Sequence, residues 1–244
     1  MIRAPLSAEA LREKLAPPRP LERIADALYA RPLAGSRIAW IAWLPDGLDR
    51  ALDALVARAK VDGARTLAVG GPPGNYLASG VDLDDTELCK CLESRGFVAS
   101  NRHLDLVVST AGHALDARVA RTDDDDVIAR IGASFTSTWA MEAERARSHG
   151  GLFVARRGED LLGFACHSGN RAWASNFGPI GVAPEARGGG LGRALASTVL
   201  CDLAARGHAD ALVPWVDGET ARFYASFCVV LSRAWRAEYR LALA

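Results

Sequence analysis

The segment V-A-P-E-A-R-G-G-G-L-G-R at residues 182–193 decides the fold of this chain. An apolar run at 177–182 precedes it and an amphipathic run at 191–203 follows it, which predicts a strand, a glycine-rich loop and a helix start. A helix N-terminus presents bare N–H groups and the positive end of its dipole, and glycines let the backbone close around an anion. Arg187 and Arg193 add fixed positive charge. The segment therefore predicts a phosphate or pyrophosphate site.

The spacing of the glycines separates the known kinds of phosphate loop. A P-loop ends in Gly-Lys-Ser/Thr, which this segment lacks. The dinucleotide pattern G-x-G-x-x-G, started at Gly190, places Leu195 where its last glycine belongs. The pattern R-x-x-G-x-G fits, as Arg187, Gly190 and Gly192 after V-A-P at 182–184. This segment resembles the acetyl-CoA pyrophosphate loop of the GCN5-related N-acetyltransferases (GNAT).

The composition indicates a globular protein without a strongly charged partner. The chain has 244 residues, half of them hydrophobic, and its 29 Lys and Arg balance its 29 Asp and Glu. We therefore expect neither a nucleic-acid nor a membrane partner. The first residues lack the apolar core of a signal peptide, and the five cysteines form no C-x-x-C pair or zinc spacing. These features favour a cytoplasmic protein with reduced thiols and no metal.

The second half of the chain follows the element order of the GNAT fold from residue 115 to residue 244. We predict a strand, two helices, three strands, a helix, a strand, a helix and a terminal strand. The resemblance implies an α/β (α+β) fold with a mixed, mostly antiparallel sheet and flanking helices. The predicted strands are 117–121, 152–156, 161–167, 177–182, 210–215 and 233–243, and the predicted helices are 124–131, 139–148, 191–205 and 218–226.

The first half repeats part of this order, which predicts two tandem domains. We assign 1–112 to a degenerate GNAT-like domain without a cofactor loop and 113–244 to the catalytic GNAT domain. In the first copy L-P-D-G at 44–47 stands in place of the glycine loop, and Leu92 stands in place of Tyr224. The predicted elements of the first half are helices at 7–15, 21–30, 46–60 and 84–95, strands at 37–44, 66–69 and 103–109, and a loop at 70–82 whose Tyr76 could line the acceptor side.

The resemblance implies acetyl-CoA as co-substrate and assigns residues to it. The strand before the loop should separate from its neighbour and offer the main chain of Ile180, Gly181 and Val182 to the pantetheine arm. Asp217 replaces the asparagine of the family pattern and would contact the same arm. The pyrophosphate would lie on one continuous run of residues: Arg187, Gly188, Gly189, Gly190, Leu191, Gly192 and Arg193.

Acetyl transfer to an amine needs a proton donor for the departing thiolate and a neutral nucleophile. Tyr224 stands where the family has a tyrosine facing the thiol, so we predict that it is the general acid; a buried core tyrosine is the alternative. The strand at 177–182 carries no glutamate to act as base. His167 could relay a proton; alternatively it is structural, and no dedicated base exists.

The resemblance implies a primary amine of a small molecule as acceptor, attacked directly in a ternary complex. The segments 163–167 and 176–182 are similar to acetyltransferases that act on glucosamine and related amino sugars. We predict that Asn176 and Trp215 contact the acceptor, although Trp215 suits a core position equally well. A monomer is favoured over a dimer. A CoA-binding sensor or scaffold without catalysis is the alternative function, and a nicotinamide enzyme ranks third.

Overall fold

The computed structural model describes residues 21–24, 27–32, 34–43, 49–70, 79–169 and 175–244. The chain forms two compact units, 1–104 together with 234–244, and 105–233. This division falls before the boundary expected after residue 112. The end of the chain groups with the first unit because the last strand pairs there, with Tyr239 opposite Val69. The helix expected at 7–15, the L-P-D-G segment and Tyr76 lie outside the described residues.

The described residues form twelve strands and six α-helices. The strands are β1 (Leu21–Ile24), β2 (Ala27–Ala30), β3 (Ile38–Trp43), β4 (Thr66–Val69), β5 (Val81–Asp82), β6 (Val98–Ser109), β7 (Ala120–Arg121), β8 (Leu152–Arg157), β9 (Asp160–His167), β10 (Phe177–Val182), β11 (Asp210–Val216) and β12 (Val230–Ala242). The helices are α1 (Asp49–Val61), α2 (Thr86–Ser94), α3 (Asp125–Ser134), α4 (Ser137–Arg147), α5 (Leu191–Ala205) and α6 (Gly218–Ala225), with a 3₁₀ turn at Pro184–Ala186.

The first unit is a sheet with helices α1 and α2. Its strands follow the order β1-β2-β3-β4-β12, and β5 also pairs with β12. β3 and β4 are parallel and in register from Ile38 opposite Thr66 to Ile41 opposite Val69, while the other pairs in this list are antiparallel. Leu52 of α1 and Leu92 of α2 lie in the buried core of this unit.

The predicted helix at 21–30 is wrong, because this segment forms the hairpin of β1 and β2. Leu21 lies opposite Ala30 and Ile24 opposite Ala27. β2 also pairs with β3, and its Tyr29 is fully buried. The apolar spacing of L-E-R-I-A-D-A-L-Y-A suits a helix, but pairing along the sheet overrides this weak local preference.

The second unit is built on the antiparallel sheet β10-β9-β8-β7. Side chains from helices α3 and α4, including Val127 and Ala143, share a buried core with Leu152 and Phe164 of this sheet. The predicted fold class is confirmed: the chain is a mixed, mostly antiparallel α/β protein with flanking helices. Among the described helices, none combines the length and apolar character needed to cross a membrane.

Candidate functional site

The predicted separation of the strand before the glycine loop is confirmed. β10 and β11 are parallel neighbours only at one bridge, Asn176 opposite Leu212, where the Leu212 N–H donates to the Ser175 carbonyl at 3.1 Å. Beyond this bridge the two strands belong to different sheets. The main chains of β10 and β11 therefore diverge toward the glycine loop and leave a gap between them.

The hydrogen-bond pattern of β10 shows which of its main-chain groups face this gap. The Ala183 N–H donates to the Leu162 carbonyl at 2.9 Å, so Ala183 points its main chain at β9. Main-chain groups alternate in direction along an antiparallel strand. Ile180 and Val182 therefore point their N–H and C=O groups away from β9, as expected for contacts with a ligand. Gly181 points toward β9 and does not fit the predicted main-chain contact.

Gly181 serves the packing of the unit instead. A Cβ atom at this position would lie 2.6 Å from Phe135 Cε1 and 2.9 Å from Phe164 Cε1. Those separations are too short for carbon atoms, so only glycine admits both rings against β10. The residue thus fixes how closely the second unit packs under the strand that faces the gap.

The glycine loop ends at a bare helix N-terminus. Gly188 and Gly190 have φ angles of 83° and 72°, in the left-handed region that glycine adopts without steric cost. The first helical hydrogen bond of α5 runs from the Ala194 N–H to the Gly190 carbonyl. No side chain of the described residues caps this helix, so the N–H groups preceding Ala194 remain available. Gly189 is exposed, and a Cβ atom there would meet no heavy atom within 4 Å.

Three arginines surround this loop. Arg187 donates from Nε to the Val182 carbonyl at 3.2 Å, and the Arg193 guanidinium lies 5.6 Å from the centre of the Phe227 ring. Arg118, which the sequence interpretation missed, donates to the Gly189 carbonyl at 3.1 Å. No local signal identifies Arg118, because it approaches the loop from a distant part of the sequence. Arg118 is also paired with the Asp116 carboxylate at 2.8 Å, so the positive field at the loop comes mainly from Arg187 and Arg193.

The first turn of α5 positions the loop against the last helix. The Leu191 side chain is buried and anchors the helix start. A Cβ atom on Gly192 would lie 3.5 Å from the Phe223 ring and 3.6 Å from Val182 Cγ2. These are ordinary van der Waals separations, so the packing of α5, β10 and α6 at the loop does not itself require glycine at position 192.

Tyr224 lies beside the first residue of β10. Its ring packs edge-on against Phe177, with the centroids 5.6 Å apart, and is 1% exposed. Burial, aided by nearby Cys228, raises the pKa of Tyr224 well above its usual value of 10. The phenol therefore stays protonated at neutral pH, as a proton donor must. Its complete burial also fits a tyrosine that only packs in the core.

His167 is placed as a structural residue rather than as a general base. The ring is fully buried, Nε2 donates to Asp202 Oδ2 at 2.8 Å, and Ser168 Oγ lies 2.9 Å from Nδ1. Burial lowers the pKa of His167 to about 4, against the opposing effect of Asp202. Asp202 lies in the last turn of α5, at the opposite end from the glycine loop. Both ring nitrogens are engaged, so the predicted proton relay does not fit this geometry.

Asp217 and Trp215 lie where β11 ends and α6 begins. Asp217 Oδ1 accepts from the Thr220 N–H at 2.7 Å and caps α6, and the carboxylate also accepts from the Thr220 side chain and the Glu219 N–H. Its contact with the cofactor arm stays a prediction. Hydrogen bonds from the helix start lower the pKa of this carboxyl. Trp215 has a left-handed φ of 61°, and its side chain is partly exposed. Its main-chain N–H donates to Asp105 Oδ1 at 3.3 Å. It is therefore a rim residue and not a core tryptophan.

Asn176 and Glu142 carry buried oxygen atoms near the start of β10. The main-chain carbonyl of Asn176 accepts from the Ser168 N–H, but its side-chain Oδ1 has no partner in the described structure. Glu142 of α4, which the sequence interpretation missed, likewise has an unpaired Oε1. Burial raises the pKa of Glu142 to about 7, and Arg145 opposes this rise. Helical spacing from Trp139 and Ala146 places position 142 on the buried face, so this glutamate was detectable.

No cluster of three or more potential metal ligands occurs among the residues that the structure describes. The site thus consists of the gap between β10 and β11, the bare start of α5 and the tyrosine on α6. This combination is the arrangement that the GNAT acyltransferase fold has at the corresponding elements.

Comparison with known proteins agrees with this class. Residues 148–227 match the family model of the acetyltransferase (GNAT) domain. The matched part contains β10, the glycine loop and Tyr224. No curated protein sequence matches the chain.

Several solved structures share the fold. A tandem GNAT protein from the clavulanic acid biosynthesis pathway has a TM-score of 0.65 and 17% identity, over 99% of this chain and 90% of that one. A GCN5-related N-acetyltransferase from Kribbella flavida has a TM-score of 0.61 and 13% identity, over 95% of this chain and 93% of that one.

A further similar structure belongs to a larger protein. The GCN5-related glucosamine N-acetyltransferase region of a fungal multi-domain β-N-acetylglucosaminidase has a TM-score of 0.68 and 16% identity, over 88% of this chain. This chain spans 31% of that fungal chain. At these identities the likeness establishes the fold.

Proposed function

We propose that this protein is an acetyl-CoA-dependent N-acetyltransferase that acetylates a primary amine of a small molecule. One observation carries the proposal: β10 separates from β11 after a single bridge and leads to the uncapped N-terminus of α5. Acetyl-CoA supplies the activated acetyl group as a thioester.

The residues of the second unit divide the binding work by position. The N–H groups at the start of α5, with Arg187, Arg193 and Arg118 nearby, hold the pyrophosphate. The outward main-chain groups of Ile180 and the N–H of Val182 hold the pantetheine arm, since the Val182 carbonyl accepts from Arg187. This arrangement directs the acetyl group toward the bridge between Asn176 and Leu212, where the gap closes.

Tyr224 supplies the proton that the departing sulfur needs. Its ring packs on Phe177, the residue after the bridge, and its raised pKa keeps the hydroxyl protonated. A protonated donor lowers the barrier to breaking the C–S bond because free thiolate does not have to leave.

We further propose that the first unit is a degenerate GNAT-like domain that does not bind acetyl-CoA. Apart from the two-residue strand β5, it repeats the order strand, helix, strand, helix, strand with β3, α1, β4, α2 and β6, as β10, α5, β11, α6 and β12 do. Where β10 and β11 share one bridge, β3 and β4 pair over four residues from Ile38 to Ile41. The paired strands leave no gap for a pantetheine arm, and Leu92 replaces the tyrosine.

The test is incubation of the purified protein with acetyl-CoA and a panel of primary amines that includes amino sugars, polyamines and lysine. Release of free CoA and the acetylated amine, identified by mass spectrometry, are the expected results. Tight acetyl-CoA binding with no product from any amine would favour the sensor or scaffold function. Absence of both binding and turnover would refute the proposal.

A further inference from the structure

The second unit contains two buried side-chain oxygens that lack partners among the described residues, Glu142 Oε1 and Asn176 Oδ1. The two residues are 8% and 3% exposed. A buried acceptor without a donor is unfavourable, and native proteins keep few such groups. Both atoms are acceptors, so the missing partner is a group rich in N–H donors.

The end of β9 brings these two residues to the same region. A Cβ atom on Gly169 would lie 2.6 Å from the Glu142 main-chain carbonyl, and the Glu142 carboxylate acts electrostatically on Cys166. The Ser168 N–H, between these two positions, donates to the Asn176 carbonyl at 2.8 Å. Glu142 and Asn176 thus approach the segment 166–169 from α4 and from β10.

The direction of the side chains places them on one face of the sheet. Phe177 lies opposite His167, whose ring meets Asp202 of α5. Side chains alternate along a strand, so Asn176 points to the other face, on which α4 and Glu142 pack. Asn176 also forms the bridge where the gap between β10 and β11 closes.

We propose that Glu142 and Asn176 form the acceptor site, in which Glu142 takes a proton from the incoming ammonium group and Asn176 Oδ1 accepts from the same nitrogen. The inference rests on the proposed function. It assigns the general base that β10 lacks to a helix on the opposite face of the sheet from Tyr224 and His167.

The proton balance of this assignment is complete. The Glu142 carboxylate takes one proton from R–NH₃⁺, and the neutral nitrogen forms a bond to the acetyl carbon. The C–S bond breaks, the sulfur receives the Tyr224 hydroxyl proton, and the tyrosinate regains a proton from the acetylated nitrogen. Glu142 then releases its proton to water, so the products are the amide, CoA thiol and one proton.

The environment of Glu142 suits this role. Its pKa, raised by burial to about 7, lies near the pH at which a general base is most effective. Arg145 on α4 is the charge that opposes this rise. Glu142 also faces Cys166 of β9. The Cys166 thiol stays protonated because burial and the charge of Glu142 raise its pKa.

The test compares Glu142→Gln with Glu144→Gln, because Glu144 lies on the same helix and pairs with Arg147 at 2.7 Å. With the best amine of the panel, Glu142→Gln should lower kcat about 100-fold and abolish the inflection near pH 7 in the profile of kcat. Glu144→Gln should match wild type. Asn176→Leu should raise KM for the amine about tenfold and keep the inflection.

A second readout does not depend on turnover. Calorimetric titration of the amine into the CoA-bound protein should show weaker binding for Glu142→Gln and unchanged binding for Glu144→Gln, with acetyl-CoA affinity equal in both. An active wild type with an unaltered Glu142→Gln variant would overturn this assignment alone. A wild type that acetylates no amine would overturn the proposed function and the assignment with it.

Discussion

Tyr224 is fully buried against Phe177, and this burial raises its pKa. A phenol of ordinary pKa is already a weaker acid than a thiol that titrates near 8.5, and the raised pKa widens this difference. Proton donation by Tyr224 therefore depends on the negative charge that develops on the departing sulfur. The same burial explains why sequence alone left a core role open.

Replacing Tyr224 with Phe should lower kcat about 100-fold and leave acetyl-CoA affinity within twofold, because the hydroxyl acts only as sulfur departs. Steady-state kinetics with calorimetry measure both quantities. Tyr29→Phe is the matched control, since Tyr29 is also buried but donates to Asp62 Oδ2 at 2.9 Å in the first unit. Equal kcat for wild type and Tyr224→Phe would exclude the general-acid role.

We expect His167 to affect the pH dependence of the free energy of unfolding and not the acetyl transfer. Its folded pKa of about 4 lies below the ordinary value of 6.5, so the unfolded chain binds the extra proton. Stability from this residue is therefore present above pH 6.5 and lost as the pH falls toward 4, by about 3 kcal/mol in total. Urea unfolding of wild type and His167→Gln across this range should show a smaller pH dependence in the variant. Parallel curves would contradict the buried neutral imidazole.

A glycine with a left-handed φ lies at each end of helix α5. Substituting each one in turn separates the effect of backbone strain on stability from the effect of the loop on ligand binding. Gly190 precedes the helix with φ of 72° and Gly207 follows it with φ of 86°, and neither has a heavy atom within 4 Å of a would-be Cβ. Alanine at either position should destabilise the protein by about 1 kcal/mol through backbone strain.

Only Gly190→Ala should also weaken acetyl-CoA binding, by about tenfold or more. Its Cβ would lie beside the free N–H groups at the start of α5, where the pyrophosphate is proposed to bind. Gly207→Ala serves as the control of equal strain. Calorimetric affinities and thermal unfolding of both variants measure the two effects. Equal loss of affinity in both variants would show that the loop acts through stability alone.

Elements with a strong local signal were predictable from the sequence. Helix α5 runs from Leu191 to Ala205 as predicted, because a glycine loop and an amphipathic pattern bound it. β4 also has its predicted bounds, Thr66–Val69. The hairpin at 21–30 was not predictable, since its helix-like spacing is overridden by pairing with β3.

The site follows the same division between local and distant contributions. The loop at 187–193 and Tyr224 belong to motifs that can be recognised from the amino-acid sequence alone. The engagement of His167 by Asp202 and the contact of Arg118 with the loop arise from elements far apart in sequence. Each depends on tertiary packing, which no local pattern encodes.

At the scale of the whole molecule, the two units differ in how the two strands that flank the first helix of the repeated order pair with each other. The second unit has strands that part after the bridge at Asn176, whereas the first unit has β3 and β4 in register over four pairs. A chain with this architecture should hold one acetyl-CoA and not two. If only the second unit binds the cofactor, as proposed, the stoichiometry is one acetyl-CoA per chain.

The most direct test is a calorimetric titration of acetyl-CoA into the full chain, with Gly190→Ala alongside. We expect one molecule bound per chain in wild type, and a loss of affinity in the variant without a second class of site. Two sites per chain, or no measurable binding at all, would contradict the claim that the gap between β10 and β11 is the single working cofactor site.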